Sequence, residues 1–319
     1  MSLRCAKMQV GTDFDTPDQT RVCTGDDPEG PFYPGWIPLP PMSTALAYFY
    51  CDEGFVIAAD GRDVLVSAQG REIASETAQK IVPVRGPDRE AAFSFTGRTT
   101  LYDPADEHRA FDFPREFHRA AREMQSESAS NGAAFLSGAC ALVQARLDAV
   151  IKSVGIGKLP SRRGRGDASK HDFLTIHLDG YFSERPVRVG ANFYHVKQKV
   201  AWDTMAPHTL DCPKRSWTRL LGSYTIGGLL FDTEDERLAR YRTDACRKVA
   251  KCYTDSSVSI TLDDAIEAGR SFIAACSDDD LRALDAENGH GIGGHIHIAA
   301  ITPKDGFRWI VPPVAAAEF

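Results

Sequence analysis

Apolar residues follow two rhythms along this chain, and the changes of rhythm mark its elements. From Ser43 to about Phe95 they fall in short runs cut by polar turns, the pattern of strands. Ser43–Phe49 and Gly54–Ala59 predict two strands joined by the turn Cys51-Asp52-Glu53-Gly54. Val64–Val66, Glu72–Ala74, Lys80–Val84 and Ala91–Phe95 predict four more, the last ending at a glycine turn, Gly97. Residues 113–124 and 133–154 then carry helical spacing, with Leu136, Ala139, Leu142, Leu147 and Val150 on the apolar stripe of the second. Strand patterns return at Asp172–Gly180 and Val187–Val196. Residues 235–253 read as helix, and Thr261, followed by Asp263 and Asp264, caps another that runs to about Cys276. Strands, helices, strands, helices and a last strand, without regular βαβ alternation, predict an α+β domain of layered antiparallel sheets.

Residues 1–43 break from this pattern. Pro17, Pro28, Pro31, Pro34, Pro38, Pro40 and Pro41 exclude a long helix and favour extended or turn backbone. The segment reads as a leader or arm without a core of its own, and residues 44–319 as one folded domain. Met42 is an alternative initiator, whose removal would leave Ser43 first. The 319 residues are ample for a single core. A net charge of −7 argues against a general nucleic-acid binder. The one basic run, Arg162-Arg163-Gly164-Arg165-Gly166, reads as the tip of an exposed loop. With no apolar run of about 20 residues and no apolar signal core, no membrane span or export is expected. The eight cysteines include no Cys-x-x-Cys pair, which suits reduced thiols in a cytoplasmic protein.

Candidate chemistry gathers around the first two strands. Thr44 opens the first, Asp60 and Arg62 close the second, and Lys80 follows in Thr77-Ala78-Gln79-Lys80-Ile81. If the chain is cut just before Thr44, the freed α-amine, of pKa about 8, can serve as base for its own hydroxyl. Each residue also has a plainer reading. Thr44 is a good strand former, Asp60 a turn acid, and Lys80 a snorkelling surface lysine. His295 and His297 alternate by two and so share a strand face, but no second pair completes a zinc set. Neither glycine-rich run carries the Lys-Ser/Thr of a phosphate loop.

The stretch from Ser43 to Arg62 resembles the start of a mature proteasome-type β subunit. There a threonine opens a strand, a Gly-x-x-x-Ala-Ala-Asp-x-Arg strand follows, and a lysine comes later. Thr44, Gly54, Asp60 and Arg62 match that spacing without a gap, and the segment before Lys80 is a few residues longer. Gly293-Gly294-His295-Ile296-His297-Ile298-Ala299-Ala300-Ile301-Thr302-Pro303-Lys304-Asp305-Gly306 resembles the family's late Gly-Gly turn, strand and hairpin. Together the two ends carry a resemblance over about Ser43 to Ile310.

The resemblance implies a four-layer αββα sandwich of the N-terminal-nucleophile hydrolase type. It also implies threonine-type cleavage of peptide bonds, in a peptide or an unfolded protein, through an acyl-enzyme on Thr44. Asp60 would pair with Lys80, and Lys80 would lower the nucleophile's pKa. Gly97 matches the backbone donor to the oxyanion, and Ser223 the serine that hydrogen-bonds the N-terminal amine. A homo-oligomeric ring is implied, with no statement about an ATPase partner, and no cofactor or metal. Two departures stand out. The family's Asp-x-x-Ser before Gly-Gly is replaced by Gly289 and Ile292, with Glu287, Asn288 or His290 able to substitute by a small register shift. Ser43 stands where a glycine is usual at the self-cleaving junction. An amidase for a small acyl compound and an inactive structural subunit are the alternatives.

Overall fold

The computed structural model describes residues 44–67, 70–102, 109–126, 131–154, 162–163, 171–196, 199–205, 217–232, 234–255, 257–285 and 291–314. The proposed leader, with Met42 and Ser43, lies outside them. In chain order the elements are β1 (Leu46–Cys51), β2 (Gly54–Ala59), β3 (Asp63–Ser67), β4 (Gly70–Ser75), β5 (Ile81–Gly86) and β6 (Arg89–Gly97). β7 (Thr100–Tyr102), β8 (Arg109–Asp112), α1 (Phe113–Glu123), α2 (Gly132–Val154), β9 (Arg162–Arg163), β10 (His171–Phe182), β11 (Arg185–Val196) and β12 (Lys199–Thr204) follow. β13 (Trp217–Leu221), α3 (Tyr224–Asp232), α4 (Asp244–Thr254), α5 (Leu262–Ser277), β14 (His297–Thr302) and β15 (Gly306–Val311) complete the chain, with 3₁₀ turns at Glu236–Tyr241 and Asp279–Asp285.

Two antiparallel sheets carry the fold. One has the order β13-β1-β2-β14-β15, the other β12-β11-β10-β6-β5, with β9 paired to β10. β1 is buried on both faces, which is why its sequence runs apolar without alternating. Ala45, Ala47 and Phe49 join one core with residues of α3, α4 and α5. Leu46 and Tyr48 join another, with Ile81, Ala92 and Tyr181 of the second sheet and Ile301 of β14. The third core lies between the second sheet and α1 and α2, where Phe93, Phe95, Phe113, Phe117, Phe135, Phe173 and Phe193 interlock. Phe93 stacks on Phe135 at 6.1 Å and meets Phe117 edge-on at 5.1 Å. Asp112 caps α1 by accepting the Arg115 N–H.

The space between the sheets has a polar heart. Arg188 of β11 pairs with Asp179 of β10 at 3.1 Å, both fully buried, and its guanidinium lies 4.4 Å from the centre of the Tyr48 ring. The Tyr48 hydroxyl is 3.0 Å from Ser94 Oγ.

The α+β class and antiparallel sheets match the expectation, and several elements differ from it. Residues 235–253 are two elements, because Thr243 accepts the Cys246 N–H and starts α4 afresh after the 3₁₀ turn. β12, β13, α3 and the β7–β8 hairpin had no expected counterpart. Arg162 and Arg163 form a short strand against β10 instead of a loop tip, and Gly164, Arg165 and Gly166 lie outside the described residues. Among the described residues one helix, Gly132–Ser153, is long and apolar enough to cross a membrane by length and composition, against the sequence expectation. Its apolar side has another use: Phe135, Leu136, Ala139, Cys140, Val143 and Leu147 are buried in the aromatic core.

Phe93→Ala is expected to cost about 3–5 kcal/mol, as deletion of a buried ring does. Urea denaturation measures it; a loss under about 1 kcal/mol would mean that the aromatic core is not packed as described.

Candidate active site

Asp60 is where distant parts of the chain converge. It follows β2 directly and is wholly buried. Its Oδ1 accepts the Ala45 N–H at 2.9 Å and the Lys80 ammonium at 2.8 Å. Its Oδ2 accepts the N–H groups of Arg62 at 3.2 Å and Gly293 at 3.1 Å. Burial pushes its carboxyl above the usual range, against the pull of Lys80 and of the Gly293 and Ala45 N–H groups. The Asp60 N–H returns a bond to the Ala45 carbonyl at 3.1 Å, so the start of β1 is clamped to the end of β2.

Lys80 is no surface lysine: its side chain is 1 % exposed. Besides Asp60, its Nζ reaches Thr44 Oγ1 at 3.4 Å. Thr44 is itself 3 % exposed, immediately ahead of β1. The Lys80 main chain is fixed on both sides, its N–H donating to His297 Nε2 at 3.1 Å and its carbonyl accepting from Phe95 at 3.1 Å. Because Nε2 of His297 accepts, its proton sits on Nδ1. Desolvation, then the charge of Lys80, pushes this imidazole down to about 3. The ring is therefore a neutral strut under the lysine. His295, two residues earlier, bonds the Pro312 carbonyl at 2.8 Å. The described residues contain no group of His, Cys, Asp and Glu arranged to hold a metal.

Arg62 ties the Gly-Gly turn to this centre. Its Nη1 donates to the Ile292 carbonyl at 3.0 Å, and its Nε and Nη2 to Glu76 at 3.2 and 3.0 Å. Gly293 sits at φ +149°, and a Cβ there would run into the Arg62 guanidinium. Only glycine lets the turn come close enough for its N–H to reach Asp60.

Ser223 arrives by strand pairing. β13 runs beside β1 with Leu221 opposite Leu46, and Gly222 then turns at φ +100° against the Thr44 carbonyl, where a Cβ would collide. Ser223 is buried, and its Oγ caps α3 by accepting the Ile226 N–H at 3.2 Å. Burial, then the charges of Asp60 and Asp285, push the thiol of Cys276 at the end of α5 well above its ordinary value, against the pull of the Ser223 hydroxyl. Gly97 ends β6 at φ +96°, two residues past the Phe95–Lys80 bond, opposite Leu174.

Of the residues singled out in the sequence, Lys80 touches both Thr44 and Asp60. Ser223 stands one strand away, and Gly97 lies on the other sheet, linked through the Lys80 backbone. Ile292 lends a carbonyl to Arg62; Gly289, Glu287, Asn288 and His290 lie outside the described residues. Cys276 and His297 were not expected here as site residues. A cysteine in an apolar helix stripe reads as core, and His297 drew notice only as a possible metal ligand. The arrangement can place a buried positive charge beside a threonine hydroxyl and hold it there with a carboxylate.

No protein-family profile matches this chain, and no curated protein does. Among solved structures it is similar to the Anbu (Gly-1) mutant from Hyphomicrobium sp. strain MC1, at 14% identity and a TM-score of 0.41, over 84% of this chain and 87% of that chain. At that score nothing is carried over residue by residue, and the site stands on its own geometry.

The state of His297 has a consequence for acid stability. Below its ordinary value of 6.5 the unfolded chain binds a proton that the folded chain refuses until about pH 3. Stability is thus lost as pH falls through that window, at up to about 1.4 kcal/mol per pH unit from this residue. In His297→Gln, whose side chain can still accept from Lys80, the difference in unfolding free energy between pH 7 and pH 4 is expected to shrink. Urea titrations at the two pH values measure it, and an unchanged difference would place the acid sensitivity elsewhere.

Proposed function

We propose that this chain is an N-terminal-nucleophile hydrolase with a four-layer αββα sandwich, and that Thr44, freed by cleavage after Ser43, is its nucleophile. The observation that carries the reading is the buried Lys80 ammonium, 3.4 Å from Thr44 Oγ1 and 2.8 Å from Asp60. A charge of this kind is costly to bury, and beside a hydroxyl it favours the alkoxide. The layer order is supported by three separate cores, one between the sheets and one on the helix-covered face of each.

In this mechanism Thr44 Oγ1 attacks the carbonyl carbon of a peptide bond while its proton passes through a water to the Thr44 amine. The C–N bond breaks and the departing amine takes that proton. Water then hydrolyses the Thr44 ester, releasing the acid and restoring the hydroxyl. Lys80 stabilises the developing charge on Oγ1, and Asp60 keeps Lys80 in place. The Gly97 N–H is assigned to the oxyanion and Ser223 to the amine. The substrate is a peptide or an unfolded protein, and a closed homo-oligomeric ring in the cytoplasm would shield folded proteins from the site. A small-molecule amidase and an inactive subunit of the same fold are the readings that the experiments below would reveal.

Intact-mass measurement of the natively expressed protein is expected to show a chain beginning at Thr44. A persistent full-length chain, inactive on unstructured peptides, would refute the nucleophile assignment, and a start at Ser43 would move it there.

Lys80→Ala alone would strand a buried carboxylate, at a cost of about 3–5 kcal/mol, and so confuse folding with catalysis. The double variant Lys80→Met with Asp60→Asn removes both charges together. It is expected to fold and to lose peptide turnover by about 10²–10³-fold. Normal turnover in the folded double variant would remove Lys80 from the mechanism.

Light scattering at low micromolar concentration is expected to show a species several times the 35.0 kDa chain. A monomer that still cleaves a small amide would favour the amidase, and an inactive oligomer lacking its leader the structural subunit.

A further inference from the structure

We propose that the cleft between the end of α3 and one face of α4 binds a small organic carboxylate with an apolar body, a ligand the size of a branched six-carbon acid.

The cleft has a volume of about 200 Å³. That is less than a drug-sized molecule fills and enough for a short acid. Its floor is apolar: Leu230 and Phe231 lie at the end of α3, and Ala250 lines the same cleft from α4. Its rim is basic. Arg247 and Lys251 are four residues apart on α4, so they neighbour each other on the face that carries Ala250.

Arg242 is the feature that points to a ligand. It stands just ahead of Thr243, the N-cap of α4, and its side chain is 6 % exposed. Its Nε donates to the Leu230 carbonyl at 3.3 Å, and its Nη2 to the carbonyls of Leu229 at 3.0 Å and Asp235 at 3.3 Å. Capping the last carbonyls of α3 explains the use of those two nitrogens. It does not explain Nη1. Among the described residues the ion-pair partner of Nη1 is Glu234, 3.6 Å away on a side chain 89 % exposed. That distance is too long for a hydrogen bond, and an acid so open to water compensates a buried charge weakly.

A carboxylate in the cleft supplies what Arg242 lacks. One oxygen takes Nη1 in a charge-assisted hydrogen bond, and the other faces the basic rim. The hydrocarbon part covers Leu230, Phe231 and Ala250 and removes them from water. Arg247 is already paired with Asp244 at 2.5 Å, so the rim steers the anion and Arg242 anchors it. Inorganic phosphate has the charge but nothing to cover the floor. The neutral amide of the same acid has the body but no charge for Arg242. Glu234 competes with the ligand for Nη1.

The test titrates isocaproate into the protein expressed from its full chain and follows binding by ligand-observed saturation-transfer NMR. A millimolar Kd is expected, the scale for a ligand of so few atoms. Isocaproamide and inorganic phosphate are expected to bind about tenfold more weakly. Glu234→Gln removes the competing charge and is expected to tighten isocaproate binding about threefold, whereas Arg247→Gln combined with Lys251→Gln weakens it about threefold. Arg242→Met is expected to weaken it about tenfold or more. The Glu234, Arg247 and Lys251 side chains are exposed, so those variants read the site even if Arg242→Met, which also strips the cap from α3, fails to fold. Equal affinity for the acid and its amide would overturn the proposal. So would a Kd unmoved by both Glu234→Gln and the double α4 variant, or the absence of any saturation transfer to isocaproate.

Discussion

A carboxylate and an ammonium buried together between two sheets are the constraint around which this molecule is arranged. Removing both from water costs several kcal/mol per ion, and their mutual attraction offsets this only when the remaining polar valences are also filled. Asp60 shows what that demands. Its oxygens receive the N–H groups of Ala45, Arg62 and Gly293 in addition to Lys80. Those donors come from the start of β1, the end of β2 and a glycine turn 233 residues away. Conditions of this kind explain features that look incidental one by one. They account for a turn that only glycine can make, an arginine spent on a backbone carbonyl, and a histidine held neutral to support a lysine's main chain. The Arg188–Asp179 pair under Tyr48 repeats the logic between the sheets, with a ring face in place of some of the hydrogen bonds.

How much of this was legible in the sequence depended on locality. Thr44, Asp60 and Arg62 sit on two adjacent strands with a short turn, so their relation is fixed by spacing alone. Lys80 lies a hairpin further on, and its distance along the chain gives no sign that it turns back between the sheets. Ser223 and Cys276 depend on β13 and α5 returning to β1, and no local pattern encodes such a return. Edge position explains the missed strands. β12 is exposed or only half-buried along its whole length, and β13 includes Arg219, so neither shows the apolar signature of the central strands. The helix expected over 235–253 failed for the opposite reason: its apolar spacing continues across Thr243, whose side chain caps a new helix after the 3₁₀ turn has ended at Tyr241.

The three cores also differ in what they ask of the chain. The aromatic core under α1 and α2 is built from large rings, and Phe95 links it to the site through its N–H to the Lys80 carbonyl. The layer between the sheets is mixed, and it shares β1 and β2 with the Asp60 cluster. Substitutions there, at Tyr48 or Ile57, would act on stability and on the placement of Thr44 together, whereas those at Phe135 or Leu147 would act on stability alone.

The position of β1 has a consequence in time. It is the first described strand to leave the ribosome, yet it is an inner strand, laddered to β13 on one side and to β2 on the other. Its neighbour β2 in turn waits for β14, and Asp60 waits for Gly293. Pairings of such long range form late, after the intervening loops have closed. The amino acids around Thr44 are therefore synthesised long before the turn at Gly293 whose N–H completes their setting. A chain interrupted before the Gly293 turn would carry Thr44, Asp60 and Lys80 and still lack the N–H that Asp60 accepts from it.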